Sequence, residues 1–164
     1  MGSSSAGGDH TLHRQEKDNI ARKFKNIDQL QRNREIEGII GTPVGLPGGI
    51  TLQVLCATDA NPRWAANGEK FSAEVRRLSR ANVPDDRTRK FLAEQFTRLF
   101  IIGWEGVKED DGNDGDAEVP FSADACVDFL LATDDALPAL QQVVYDTKMF
   151  RGERIEIIAN SLKN

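Results

Sequence analysis

The chain has 164 residues, 39% of them hydrophobic and 29% charged, with a formal net charge of -5. That length fits one domain with extensions, and the apolar share suffices for one core. No apolar run reaches the roughly 18 residues that a membrane span needs, and no signal-peptide core is present, so neither a membrane nor an export route is expected.

The net charge hides an asymmetry. Residues 14–98 carry 16 Lys/Arg against 11 Asp/Glu, whereas residues 105–135 carry Lys108 against 11 acids. A solvated loop and helix caps account for the acidic stretch, and a split of this size can also steer a partner or a second copy of the chain. The basic part lacks the dense Lys/Arg clusters with interleaved aromatics of a nucleic-acid surface, so no nucleic-acid partner is expected.

Residues 1–9 are rich in Gly and Ser and read as a disordered tail. Met1-Gly2 begins like a myristoylation signal, but Ala6 stands where that pattern needs Ser or Thr. Residues 12–34 are polar and carry one thin apolar stripe of Ile20, Phe24, Ile27 and Leu30, the spacing of an amphipathic helix. Residues 1–34 therefore read as a flexible or extended N-terminal arm, and residues 35–164 as a single helical domain that begins with a β-hairpin.

Gly38, Gly41 and Gly45 with Pro43 and Pro47 argue against helix at the start of that domain. Residues 35–40 and 50–57 are expected to form two short strands around the Pro47-Gly48-Gly49 turn, with Leu52, Val54 and Cys56 on one face. Asn61-Pro62 then marks a helix start, Asn as N-cap and Pro at the first helical position. Trp64, Phe71, Val75 and Leu78 share its apolar face, and Arg76, Arg77 and Arg80 suit the negative end of its dipole.

The segment 82–84 ends that helix. Asp85 or Asp86 is expected to cap the next, whose core positions are Leu92, Phe96, Leu99, Phe100 and Ile102 and which is expected to run to Gly103. Gly103-Trp104-Glu105-Gly106 leads into an acidic, glycine-rich connector. A calcium loop started at Asp110 places Asp114 and Gly115 correctly. It then sets Gly112 and Phe121 at the ligand positions that need oxygen donors. No calcium site is therefore expected.

Ser122 is the expected cap of a short helix with Cys126, Val127, Phe129, Leu130 and Leu131. A last helical stretch follows residues 133–135, lined first by Leu137, Leu140, Val143, Val144 and Thr147, then by Phe150, Ile155, Ile158 and Leu162, with a kink at Gly152. The expected fold class is mainly α, about five helices with a small N-terminal hairpin.

No catalytic constellation stands out. His10 and His13, the only histidines, lie in the tail, whereas a Ser–His or Cys–His dyad needs a rigidly held imidazole. Cys56 and Cys126 lack the spacing of a zinc site or a disulfide framework and read as small buried hydrophobes in a reducing compartment. The glycines of residues 41–49 match neither phosphate-binding pattern. No enzyme activity, metal or cofactor is expected. Trp64 and Trp104 fit core positions. Trp104 is followed at once by Glu105 and Gly106, so its ring can also cover a domain edge and meet a partner together with Phe121 and Phe150.

Several motifs in order carry a resemblance. They are Asp59-Ala60-Asn61-Pro62-Arg63-Trp64, Ile102-Gly103-Trp104-Glu105-Gly106-Val107, Val119-Pro120-Phe121-Ser122 and the terminal Phe150-Arg151-Gly152-Glu153 through Ala159-Asn160-Ser161. Together they resemble a family of tailed-phage proteins described as tail assembly chaperones, over roughly residues 35–162. The longer basic arm and the extended acidic loop depart from that pattern.

The resemblance implies a non-catalytic protein of the host cytoplasm. It would keep the tape-measure protein soluble and recruit tail-tube subunits. The residues themselves make Ile20, Phe24, Ile27, Trp104, Phe121 and Phe150 the expected partner-binding side chains, with self-association possible. An arm of this kind also suits the alternative, a structural tail or connector component retained in the virion.

Overall fold

The computed structural model describes residue 16 and residues 31–110, 117–152, 155 and 156. Contacts divide the chain into Met1–Gln31 and Arg32–Asn164, and the architecture is that of the second unit. The apolar stripe of Ile20, Phe24 and Ile27, the middle of the acidic loop, and Ile158 and Leu162 lie outside the described residues.

The fold is mainly helical with a small sheet. A wide helical turn, Ile36–Ile40, leads into strand β1 (Thr42–Leu46), which pairs antiparallel with β2 (Ile50–Val54). Gly48 and Gly49 make the connection at φ +87° and +76°, a region open to residues without a Cβ. Helices α1 (Pro62–Arg80) and α2 (Asp85–Leu99) form an antiparallel pair, and β3 (Ile101–Glu105) returns to the sheet beside β2. Helices α3 (Ala123–Ala132) and α4 (Ala136–Val144) follow, and β4 (Ile155–Glu156) closes the order β3-β2-β1-β4.

The apolar faces read from the sequence meet in one core. Leu52, Val54, Phe96, Phe100, Leu130 and Leu140 are among its fully buried side chains. Phe96 and Phe100 meet edge-to-face with ring centroids 4.9 Å apart, and Trp64 lies against Phe71, Phe100 and Tyr145. Cys56 and Cys126 are buried in this core.

Three expectations are corrected. Residues 36–40 coil rather than extend: the Gly41 N–H donates to the Ile36 carbonyl at 2.9 Å, and the Asn33 side chain caps the Ile36 N–H at 3.1 Å. Second, α2 stops at Leu99, and the stretch through Gly-Trp-Glu is a strand. Paired β-branched residues at Ile101 and Ile102 favour extension, and the Phe100 carbonyl is taken by the Leu55 N–H at 2.7 Å. Asp85 and Asp86 sit inside the first turn of α2, after Pro84.

Third, α4 ends at Val144. The Asp146 side chain accepts from the Lys148 N–H at 3.0 Å and starts the 3-10 turn Thr147–Met149. Gly152 then turns at φ +98°, and Ile155–Glu156 pairs parallel with Val44 and Gly45.

The coil at Ile36–Ile40 depends on one close approach. A Cβ at Gly38 would stand 1.7 Å from the Ala60 carbonyl oxygen, which is backbone and cannot swing aside. Gly38→Ala is therefore expected to lower stability by about 2–3 kcal/mol, the upper part of the overpacking range. Chemical denaturation measures it, and a loss under about 0.5 kcal/mol would contradict this packing.

Candidate functional site

Two motif segments that the acidic loop separates in sequence come together in space. Trp104 lies on β3, an edge strand of the sheet, opposite the fully buried Leu52. Directly opposed residues share a face of the sheet, so the indole covers the core at its edge. Its Nε1–H donates to the Val119 carbonyl oxygen at 2.8 Å. Phe121 and Phe129 meet it edge-on, with centroids at 5.3 and 5.7 Å.

Local sequence explains each support. The loop flanks close as a hairpin, Lys108 opposite Glu118, with the Val119 N–H donating to the Val107 carbonyl at 2.8 Å. Pro120 cannot continue that ladder. Ser122 then caps α3, accepting from the Ala125 N–H at 3.1 Å, which places Phe129 beneath the indole.

All three rings of this group are partly buried, so each keeps some exposed surface. Phe150 does not join them. It is fully buried, and as a partner-binding residue it is corrected: it follows the 3-10 turn into the core and has no surface to offer.

Asn61 is a second focal point, fully buried at the start of α1. Its Oδ1 accepts from the Arg63 and Trp64 N–H groups at 3.0 and 3.4 Å. Its Nδ2 donates to the Cys56 and Leu99 carbonyls at 3.0 and 2.9 Å. One side chain thus ties the end of the hairpin, the start of α1 and the end of α2.

Sequence reasoning missed the carboxylate of Glu37. It is fully buried and held by the Arg32 guanidinium at 2.6 and 3.1 Å and by the Thr58 hydroxyl at 2.8 Å. Burial alone pushes this carboxyl upward; the hydrogen bonds from Arg32 and Thr58, with the charges of Arg32 and Arg34, outweigh it and hold the pKa below the ordinary glutamate value. A lowered folded pKa stabilises the fold above the unfolded value, and that contribution is lost as pH falls through the folded value. The wild type is therefore expected to lose stability more steeply than Glu37→Gln as pH falls below the ordinary glutamate range. Parallel curves in acid denaturation would exclude the linkage.

The sequence also missed Ile39, Ile40 and Tyr145, which are 69%, 50% and 53% exposed. Isolated exposed hydrophobics are ordinary, but Ile39 and Ile40 are adjacent. The only available signal was their place in an apolar run read as a strand.

The thiols are not arranged as nucleophiles. Cys56 donates to the Val144 carbonyl at 3.1 Å, and burial pushes its pKa up to about 12. Burial likewise raises Cys126, which accepts from the Thr97 hydroxyl at 3.4 Å. Among the described residues no three His, Cys, Asp or Glu side chains converge as a metal site would, and no helix is long and apolar enough to cross a membrane.

A protein-family comparison matches residues 60–155 to the family described as YdaY prophage protein. Neither the curated proteins nor the solved structures yield a match. The matched span begins one residue before Asn61 and takes in Trp104, Phe121 and Phe129.

Proposed function

The chain belongs to the YdaY prophage protein family, and from that premise we propose that it is a non-catalytic tail assembly chaperone. It would bind the tape-measure protein in the host cytoplasm and help recruit tail-tube subunits. The observation that carries the reading is the Trp104–Phe121–Phe129 group beside the edge strand β3. Two of the motifs that resemble tail assembly chaperones, Gly-Trp-Glu-Gly and Pro-Phe-Ser, supply its Trp104 and Phe121, and α3 supplies Phe129. A partly exposed aromatic edge suits the apolar stripe of a long amphipathic helix, and the exposed Ile39 and Ile40 enlarge the apolar surface available to a partner.

The test is co-expression with the tape-measure protein of the same prophage, followed by mass spectrometry of purified particles beside the infected-cell lysate. A chaperone keeps the tape-measure protein soluble, co-purifies with it and is absent from the particle. Stoichiometric presence in the particle would overturn the reading in favour of a structural tail or connector component.

A further inference from the structure

Beyond that reading, and independently of it, we propose that the protein self-associates, an arginine groove on α1 of one copy taking the acidic start of α3 of another. The groove, of about 520 Å³, is lined by Ala73, Arg76, Arg77, Arg80 and Ala81. These residues occupy the face of α1 turned away from the buried Phe71 and Leu78. Arg77 is forked onto Glu74 at 2.6 Å and frames the groove. Arg76 and Arg80, one helical turn apart, have no ion-pair partner among the described residues. Ala73 and Ala81 line the two ends of the groove beside the guanidinium groups, and arginine takes carboxylates in bidentate pairs.

The chain carries its own complement at the opposite end. Asp124 lies in the first turn of α3, and Glu109 and Glu118 lie on the hairpin leading into it, all exposed. The antiparallel α1–α2 pair places the groove at the α1–α2 turn: Phe71 stacks on Phe91, and Arg63 donates to the Arg98 carbonyl.

Helix α3 begins at the far end of α2, because Cys126 touches Thr97 whereas Thr133 meets Arg89. At about 1.5 Å per residue, some 18 Å of helix separates those ends, so one copy cannot close its own α3 start onto its own groove. A second copy can, either reciprocally in a two-fold pair or, repeated in one direction, as a ring or a filament. The formal net charge of -5 makes copies repel at long range. At about 0.1 M salt that repulsion is screened beyond about 10 Å, while charges in contact still attract.

The experiment is sedimentation equilibrium of the full chain across concentration, at about 50 and 500 mM salt. The mass is expected to rise above 18.1 kDa with concentration at low salt and to return to it at high salt. R76E/R80E is expected to weaken association at least about tenfold, and so is E109K/E118K/D124K. Both sets in one chain are expected to restore association, because the charges are exchanged rather than removed. Circular dichroism checks that each variant is folded. A chain that stays monomeric at low salt, association that R76E/R80E leaves unchanged, or a combined variant that is not restored would each overturn the proposal. None of these outcomes bears on tape-measure binding, which the co-expression experiment reads separately.

Discussion

Asn61→Ala is expected to destabilise the fold by about 3 kcal/mol, through the loss of one cap and the stranding of two buried carbonyls. The cap contributes about 1 kcal/mol, since Oδ1 serves the first two free N–H groups of α1. The Cys56 and Leu99 carbonyls, each left without the Nδ2 donor in a site that excludes water, add about 1 kcal/mol apiece.

Two further substitutions separate these parts. Asn61→Ser keeps a capping oxygen but cannot reach both carbonyls, so it is expected to recover only the cap. Asn61→Asp also keeps the cap, yet it turns a carboxylate towards two carbonyl oxygens and is expected to be no better than alanine. Urea unfolding reads the series as midpoint shifts at constant slope. An alanine loss below about 1 kcal/mol would mean that water reaches these carbonyls.

Trp104→Ala is expected to lower stability by about 3 kcal/mol, the low end for a large aromatic because the ring is only partly buried. In a chain of this length that corresponds to a fall in Tm of roughly 6–12 °C. The loss combines the hydrogen bond to Val119 with the edge contacts to Phe121 and Phe129. Trp104→Phe keeps much of the ring contact and loses the N–H, so about 1 kcal/mol is expected from it. If the proposed role holds, a surface substitution at Ile39 or Ile40 weakens tape-measure binding without this cost. Trp104→Ala with both Tm and binding unchanged would remove the residue from the core and from the interface alike.

Local signals survived folding wherever the chemistry was itself local. Asn61 and Ser122 are caps in the sequence and caps in the structure, because a side-chain oxygen reaching the N–H two or three residues on needs no tertiary partner. The apolar faces of α1 and α2, and the Pro47-Gly48-Gly49 turn, were equally legible. Ile101–Glu105 was not. Apolar residues running on from a helix satisfy either period over so short a stretch, and pairing with β2 decides between them. At Ile155 and Glu156 the expected helix gives way to strand for the same reason, since these residues find β1.

By itself, then, the sequence determined the starts of α1 and α3, the hairpin turn, the mainly helical class and the burial of both thiols, all set by short-range hydrogen bonding or by apolar periodicity. Only the tertiary structure decided that Trp104 is the edge of a sheet, that Phe150 is core, that Asn61 bridges three elements, and that Glu37 is buried against Arg32 and Thr58. Each of those outcomes includes a contact with a residue far along the sequence, and no local pattern encodes which distant group will supply the partner.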